Sequence, residues 1–229
     1  MIAAIFDLDG TLIDGSILQG LIQHHRAHRI KRIPLYFYVA THFLMWPGFK
    51  LGLIPEAWVR ARWTENMGWA LRGWTPEQAG RAFHWIAEEY VTPRVNPEIL
   101  ARVRRHQEAG HRVILVSGTL TPLLEIISQQ FDIPEIVGTP LILRNGIYTG
   151  ASEPPACQGS DKVTRLKMHL GNDAEIDWAE SYAYADSHTD IPLLASFGHP
   201  AAVNPDPRLA EHATQNGWDI IRLERNEDG

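Results

Sequence analysis

Short apolar runs alternate with helical patterns along most of this chain. Residues 2–6 form an uninterrupted run of apolar, β-favouring residues, which is typical of a strand buried on both faces of a parallel sheet. Similar runs predict further strands at residues 112–116, 136–137, 182–185, 201–203 and 219–223. Because helical patterns separate most of these strands, the chain predicts an α/β fold built on a doubly wound parallel sheet.

The long region between the first two predicted strands contains only helical patterns. Within it, Thr75 and Gln78 lie at the spacing of a capping box, with a proline between them, and they predict a helix start. A strand-free region of this length predicts a helical cap inserted into the sheet-bearing domain. We therefore assign residues 15–93 to the cap, and residues 1–14 and 94–229 to the α/β core.

Residues 35–46 are the most apolar stretch of the chain. The stretch is only about a dozen residues long, whereas roughly 20 apolar residues are needed to span a bilayer. Extending it to residue 54 reaches that length, but Pro47 would break the helix, and His42 and Lys50 would lie in lipid. We therefore predict a buried helix here rather than a membrane span.

Charge and composition narrow the class of partner. Lys and Arg number 21 against 27 Asp and Glu, and the net charge of -6 disfavours broad binding to nucleic acid or to an anionic membrane. A small-molecule ligand is the better expectation. The single cysteine, Cys157, cannot form an internal disulfide, and no secretory-signal pattern opens the sequence, so we expect a cytoplasmic protein.

Two acidic residues, Asp7 and Asp9, follow the first predicted strand directly. Residues two apart on an extended segment point the same way, so the two carboxylates are expected to converge. Such a pair can divide the work of a nucleophile and of a general acid and base. Taken alone, the pattern has a second interpretation, which is an N-capping Asp followed by a turn.

Candidate anion-binding groups come later in the chain. Ser117 and Gly118 follow the second predicted strand, where a hydroxyl and backbone N–H groups can hold phosphate oxygens. Lys162 lies near the start of a helix predicted at residues 160–170, where a cation opposes the helix dipole unless an anion binds beside it. Taken separately, these motifs also fit a helix cap and a solvated surface lysine.

Acidic residues recur after the fourth predicted strand. Asp186 follows this strand and Asp190 lies at a helix start, so both add negative charge to the same edge of the sheet. Crowded carboxylates require a cation, and Mg²⁺ suits them because it prefers oxygen ligands from carboxylates, water and phosphate. The neighbouring His188 fits an exposed loop histidine better than a metal ligand or a base.

The order of these motifs, DLDGT, VSGT, Lys162 and ADSHTD, resembles that of the haloacid dehalogenase superfamily, specifically its phosphoserine phosphatase-like branch. The resemblance covers nearly the whole chain. It implies that Asp7 is the nucleophile and that Asp9 is the general acid and base. Since dehalogenases lack this second Asp, the resemblance favours a phosphatase.

The same resemblance implies ligands for magnesium and for phosphate. Asp7, Asp186 and the backbone carbonyl of Asp9 would hold the metal, supported by Asp190. The phosphate-binding residues would be Thr11, Ser117, Gly118 and Lys162.

The position of the cap, between the first and second motifs, resembles the first-type cap of this family, which implies that the cap selects the substrate. Phosphoserine phosphatases carry a Glu shortly after the first motif that grips the substrate amine, whereas this chain has Ser16 there. They also carry an Asn where this chain has Thr189. The resemblance therefore implies a magnesium-dependent hydrolase of a small-molecule phosphate monoester other than phosphoserine.

The predicted cap is unusually rich in aromatic residues. Six of the eight tryptophans fall within it: Trp46, Trp58, Trp63, Trp69, Trp74 and Trp85. These rings either pack the core of a small helical domain or face an apolar substrate. The second interpretation leaves open a lipid-phosphate phosphatase that works at a membrane surface.

The three histidines of the first cap helix fit a solvated face; they are His24, His25 and His28.

The sequence motifs bear on two further functions. Transfer of the phosphoryl group to an acceptor other than water stays open, because the first half-reaction would be identical. A non-catalytic phosphate-binding module is disfavoured, because none of the expected nucleophile, cation and metal ligands is missing from the sequence.

Overall fold

A computed structural model describes residues 1–30, 32–51, 53–171 and 176–223. Its strands are β1 (Ala3–Phe6), β2 (Arg112–Leu120), β3 (Glu135–Thr139), β4 (Leu141–Arg144), β5 (Ile147–Ser152), β6 (Tyr182–Ala185), β7 (His199–Val203) and β8 (Asp219–Ile221). Six of them form one parallel sheet in the order β3-β2-β1-β6-β7-β8. The chain order reverses at β1, so the predicted doubly wound α/β core is confirmed.

The remaining two strands, β4 and β5, form an antiparallel hairpin beside the sheet. Asn145 and Gly146 join them, both with positive φ angles of 50° and 75°. These residues tolerate that backbone conformation, which the tight turn requires.

Helices connect the strands and cover both faces of the sheet. They are α1 (Ile17–His28), α2 (Arg32–Lys50), α3 (Glu56–Asn66), α4 (Pro76–Trp85), α5 (Pro97–Glu108), α6 (Thr121–Gln130), α7 (Ser160–Leu170), α8 (Ile191–Leu194) and α9 (Pro207–Asn216). The first four fall in the region predicted as a cap, and α4 continues into a π-helical segment, Ile86–Val91. The capping box at Thr75 and Gln78 is confirmed, since each side chain bonds the backbone N–H of the other residue.

The central strand β1 shows why its sequence is continuously apolar. Ala4 and Phe6 belong to the hydrophobic cluster on one face of the sheet, whereas Ala3 and Ile5 belong to the cluster on the other face. All four are fully buried. Because successive side chains of a strand point to opposite faces, a strand covered on both sides must be apolar at every position.

The apolar stretch in the cap is helical, but the prediction that this helix is buried is wrong. Leu35 and Tyr38 of α2 are buried, whereas Ile33, Phe37 and Leu44 on its other side are 82%, 59% and 77% exposed. The described part of the cap covers only one face of α2, with Ala70 among the residues packed against it. None of the described helices has the length and apolar character that crossing a membrane requires.

Helix α2 also continues through Pro47 to Lys50, although a break at this proline was predicted. A proline removes one backbone hydrogen bond and strains the preceding turn, but a helix that is otherwise well formed can accommodate it. The side chains of His42, Trp46 and Lys50 lie outside the described residues.

The prediction of a solvated histidine face on α1 is wrong for two of its three residues. His24 and His25 are only 4% and 1% exposed, and His28 alone is exposed. The ring of His25 stacks on Trp74 with a centroid distance of 5.6 Å, and its Nδ1 lies 2.8 Å from the carbonyl oxygen of Leu21. Aromatic residues of the cap therefore cover the histidine face of α1, although the polarity of this face predicts that it is exposed to solvent.

Candidate active site

The loop after β1 places Asp7 and Asp9 at the carboxyl end of the sheet. Asp7 extends the pairing of the strand, because its N–H donates a hydrogen bond to the carbonyl of Tyr184 in β6 at 3.0 Å. Gly10 follows with φ of +70°, and a Cβ added there would lie 2.2 Å from Oδ2 of Asp186. The glycine therefore lets the carboxylate after β6 approach the loop after β1.

Lys162 of α7 links two of the predicted site residues. Its Nζ lies 2.9 Å from Oδ1 of Asp7 and 2.9 Å from Oδ2 of Asp190. Lys162 and Asp190 are only 2% and 1% exposed, so the ion pairs are screened little by water. The interpretation of Lys162 as a solvated surface residue is therefore wrong.

Three carboxylates crowd around this lysine. One oxygen from each of Asp7, Asp186 and Asp190 lies within 4.8 Å of the other two. The second oxygen of Asp190, Oδ1, is buried and accepts no hydrogen bond from the described residues. A hard divalent cation such as Mg²⁺ fits this set, because the donors are all carboxylate oxygens and one of them lacks a partner.

Burial and like charge shift the pKa values of the cluster. Burial, together with Asp190 and Asp186, raises the pKa of Asp7 well above its usual value, although Lys162 opposes the change. Burial and then Asp190 raise the pKa of Asp186 to about 7. The charge of Lys162 is opposed by burial, but Asp190 and Asp7 outweigh it and raise its pKa. The ionised forms of Asp7 and Asp186 are therefore disfavoured unless further positive charge is present, which a bound cation would supply.

Asp9 has different surroundings, which come from the start of α1. Its carboxylate accepts hydrogen bonds from the N–H of Ile17 at 3.2 and 3.3 Å and from the Ser16 hydroxyl at 3.3 Å. Burial nonetheless raises the pKa of Asp9 to about 6. A carboxyl group that titrates near neutral pH is suited to donate and accept a proton in turn.

The predicted phosphate-binding residues are placed in two different ways. Ser117 and Gly118 line the same cavity as the carboxylates, at a point where the pairing of β2 with β3 is irregular. The Ser117 hydroxyl donates to that of Thr119 at 3.1 Å. Thr11, in contrast, is fully buried and does not line the cavity. Its hydroxyl has no hydrogen-bond partner among the described residues.

The cavity above the carboxylates has a volume of about 300 Å³. The wall includes side chains that no sequence motif contains: Arg60, Thr64 and Met67 from the cap region, and Gln158 from the loop before α7. A Cβ at Gly118 would lie 3.2 Å from Gln158 and 3.3 Å from Thr64, so these residues closely cover the strand end. Helical spacing shows that Arg60 and Thr64 share a face of α3, but it does not show that this face meets the sheet.

A second cavity of about 370 Å³ adjoins the first. The two share six residues, which are Asp9, Ser16, Arg60, Thr64, Met67 and Gln158. Beyond these, the second cavity is lined by Leu18, Val59 and Trp63, together with Glu56. The general acid candidate Asp9 thus lies where a mostly apolar chamber opens onto the charged one.

His188 lies beside the site without lining it. Its Nδ1 is 2.7 Å from Oδ2 of Asp206, and its Nε2 is 3.3 Å from Oε1 of Glu56 on α3. Arg208 on α9 donates to the other oxygen of Glu56 at 2.7 Å. These contacts connect α3, which carries Arg60, to the loops of the sheet. His188 therefore has a positioning role and is not one of the reacting groups.

Comparison with known proteins identifies the family. The family model described as haloacid dehalogenase-like hydrolase matches residues 4–195, a range that includes all the predicted site residues. The chain belongs to the haloacid dehalogenase-like hydrolase family. A histidinol-phosphatase from Neisseria meningitidis is 30% identical to this family member over 156 residues, which are 67% of this chain and 70% of that relative.

Further similarities agree with this family. A protein of Mycobacterium tuberculosis named as a phosphoserine phosphatase is 25% identical over 222 residues, covering 95% of this chain and 70% of its own length. A solved structure of a Bordetella pertussis protein of unknown function superposes with a TM-score of 0.80 at 24% identity, covering 96% and 97% of the two chains. The haloacid dehalogenase-like fold is thus confirmed, and the chain is a hydrolase of the phosphatase class.

Proposed function

We propose that this chain is a magnesium-dependent phosphomonoester hydrolase that forms an aspartyl-phosphate on Asp7. The observation that carries the proposal is the buried Lys162, held between Asp7 and Asp190 with Asp186 beside them at the carboxyl end of the sheet. A buried cation among three carboxylates, facing a cavity, is suited to an anionic substrate rather than to stability alone. Asp7, Asp186 and Asp190 are the side chains that would hold or support Mg²⁺, which would supply charge neutralisation at the phosphoryl group.

The chain's own residues account for both half-reactions. A carboxylate oxygen of Asp7 attacks phosphorus, the bond from phosphorus to the ester oxygen breaks, and Asp9 gives its proton to the departing alkoxide. Lys162, the Ser117 hydroxyl and the Gly118 N–H offset charge on the phosphoryl oxygens. Asp9 then takes a proton from water, which attacks phosphorus and breaks its bond to Asp7 to release phosphate.

We propose that the substrate is a small-molecule phosphate ester other than phosphoserine. The leaving group would lie on the Asp9 side of the site, where Leu18, Val59 and Trp63 line the second cavity. Glu56 and Arg60 also line it, and their charges pair with each other at 3.0 Å. Ser16, which stands where an amine-gripping Glu would be expected, has no negative charge and already donates to Asp9. An ester with an aromatic or heteroaromatic body fits this chamber better than an amino acid does.

The test is a comparison of kcat/KM for phosphoserine, histidinol phosphate and phenyl phosphate, measured with Mg²⁺ and again with excess EDTA. We expect phenyl phosphate to exceed phosphoserine by at least about tenfold, since an unmatched charged group is strongly disfavoured in an apolar site. Histidinol phosphate, which has a ring and an amine but no carboxylate, should lie between the two. EDTA should remove the activity and added Mg²⁺ should restore it. Phosphoserine as the best substrate would refute the substrate class, and full activity in EDTA would refute the metal.

The exposed face of α2 supports a second candidate, a phosphatase of lipid phosphates at a membrane surface. Ile33, Phe37, Phe43 and Leu44 present large apolar side chains to solvent on this helix. Apolar and aromatic residues on one side of a helix are typical of interfacial binding. Sedimentation with phosphatidic acid vesicles, together with hydrolysis of that lipid, would favour this candidate over a cytoplasmic enzyme. Absence of both would reject it.

A further inference from the structure

The exposed face of helix α2 has the opposite composition from that of an ordinary surface helix. Its exposed positions recur three or four residues apart, which places them along one side of the helix. The large side chains among them are Ile33, Tyr36, Phe37, Phe43 and Leu44. No described exposed position of α2 is charged, although a surface helix normally turns charged or polar side chains toward water. Both sides of α2 are therefore apolar, and the described residues cover only one of them.

Exposed apolar side chains are concentrated in this part of the chain. Among the described residues, thirteen large apolar side chains are exposed, and nine of them fall within residues 30–58. Besides the five on α2, these nine include Ile30 before the helix and Leu51 and Leu53 after it. Single exposed apolar residues are normal, whereas a concentration of this kind marks a surface that binds a partner or a membrane.

The charge of the same segment differs from that of the rest of the chain. Residues 15–55 contain none of the 27 Asp and Glu residues but five of the 21 Lys and Arg residues. The five cations are Arg26, Arg29, Lys31, Arg32 and Lys50. The net charge of -6 therefore results from the rest of the chain, whereas the segment with the exposed apolar face is basic.

The cations of this segment come before and after the apolar face. Arg26 and Arg29 are exposed at the end of α1, and α2 begins three residues after Arg29, at Arg32. Lys50 is the last residue of α2. Apolar and aromatic side chains flanked by cations are typical of helices that lie on a bilayer, because the apolar groups enter the lipid and the cations bind headgroups.

Charge decides between the possible occupants of this face. Two copies of the chain that paired through α2 would bring their two basic segments together, and the like charges would repel. An anionic bilayer suits both features, since its acyl chains accept apolar side chains and its headgroups attract cations. We propose that the apolar face of α2 docks this chain on an anionic lipid bilayer, with Arg26 and Arg29 at the headgroups. The lipid is a docking partner and not the substrate, so the inference does not rest on the proposed function.

The experiment is flotation of the whole chain with vesicles of phosphatidylcholine alone or with about 30% phosphatidylserine. Phosphatidylserine is a phosphodiester, which a phosphomonoesterase does not hydrolyse, so binding to it reports docking and not substrate recognition. We expect binding to the anionic vesicles to be at least about tenfold tighter, because each cation near such a surface strengthens binding roughly fivefold. High salt should remove most of this preference.

Two double variants separate the apolar and the charged contributions. Phe43→Gln with Leu44→Gln should weaken binding to anionic vesicles by at least about tenfold, because the side chains that enter the lipid become polar. Arg26→Gln with Arg29→Gln should reduce the preference for anionic vesicles by about tenfold and leave binding to neutral vesicles unchanged. All four side chains are exposed, and melting curves establish that the variants are folded.

Matched controls change exposed residues elsewhere on the surface. Leu143→Gln with Met168→Gln alters two exposed apolar residues of the core, and Arg105→Gln with Arg144→Gln alters two exposed arginines. Both controls should bind vesicles as the wild type does. Losses in the controls equal to those in the test variants would overturn the assignment of the surface to α2.

Three further outcomes decide the proposal. Absence of vesicle binding by the wild type, or equal binding to neutral and anionic vesicles, would overturn it. Dimerisation without lipid in analytical ultracentrifugation, abolished by Phe43→Gln with Leu44→Gln, would overturn it in favour of a second copy of the chain. Hydrolysis of phenyl phosphate is measured separately, and a chain that binds anionic vesicles without hydrolysing this ester would refute only the proposed function.

Discussion

The carboxyl end of the sheet and the cap region use polar side chains in opposite ways. At the sheet, Asp7, Lys162 and Asp190 are buried as charges that meet at 2.9 Å. In the cap region, His24 and His25 are buried among aromatic rings, and burial lowers the pKa of both. The first arrangement brings charges together for chemistry on a phosphate, whereas the second keeps its polar groups neutral. The two regions should therefore respond differently to substitution.

The largest effect is expected from removing the proposed nucleophile at the carboxyl end of the sheet. Asp7→Asn preserves the shape of the side chain but lacks the carboxylate that would attack phosphorus, so we expect kcat to fall by at least about four orders of magnitude. The exposed Asp14 lies in the same loop, and Asp14→Asn is the matched control. Steady-state hydrolysis of phenyl phosphate measures both. Comparable losses in the two variants would contradict a special role for Asp7.

Removing the buried cation should affect both activity and stability. Lys162→Met leaves Asp7 and Asp190 without their partner, which costs about 3–5 kcal/mol in the free energy of unfolding by the usual effect of breaking a buried ion pair. Urea denaturation measures this loss, and kcat/KM should fall by orders of magnitude as well. Lys167→Met on the exposed face of α7 should change neither quantity. If Lys162→Met were as stable and as active as this control, the buried charge network would have no role.

The two regions also differ in how much of their structure can be predicted from the sequence. The order of strands and the residues at their ends follow from sequence, because parallel strands place their carboxyl ends at one edge of the sheet. Asp7, Asp186 and Asp190 could therefore be grouped before any contact was known. Thr11 could not be located in the same way, because a hydroxyl in a turn can point into the core or toward the cavity.

Cap residues were harder to place because helix–helix packing decides which face of each helix is covered. The pattern of α2 identifies a helix but not its exposed apolar face, and the polarity of α1 suggests exposure for two histidines that tryptophans cover. Arg60 and Gln158 carry no motif, and they line the active-site cavity only because α3 and the loop before α7 meet there. Such long-range contacts leave no local signal in the sequence.

Protonation of buried histidines should destabilise each region below neutral pH. Burial, together with neighbouring His111 and Arg102, lowers the pKa of His106 in the core to about 4, a value shared by His24 in the cap region. Since an unfolded histidine titrates near 6.5, the unfolded chain binds more protons between pH 6.5 and 4, and stability falls across that window as pH decreases.

Each of these two histidines should contribute on the order of 1–3 kcal/mol to the loss by pH 4. We expect His24→Phe and His106→Phe each to flatten the dependence of the free energy of unfolding on pH, as followed by denaturation at several pH values. A variant of the exposed His199, His199→Phe, should follow the wild-type profile. Identical profiles for all four proteins would show that the buried histidines do not govern acid sensitivity.

The smallest expected effect is at the surface contact between the two regions. Arg208 on α9 is 67% exposed and donates to Glu56 on α3 at 2.7 Å. An exposed ion pair contributes about 0.2–1 kcal/mol, so a double-mutant cycle with Glu56→Gln and Arg208→Gln should give a coupling energy in that range. Thermal denaturation in low and high salt measures it. A coupling energy of several kcal/mol that does not fall in high salt would show that water and ions do not screen this ion pair.

The most direct test of the central claim is to locate the phosphoryl group on the protein. Asp9→Asn with p-nitrophenyl phosphate and Mg²⁺ should accumulate the covalent species, because this leaving group departs without a proton whereas water still requires a base. The reaction is quenched in acid, and the digested protein is examined by mass spectrometry. We expect the added phosphoryl group on the peptide that contains Asp7. Release of p-nitrophenol with no modified peptide, or with the group on another residue, would contradict the proposed nucleophile.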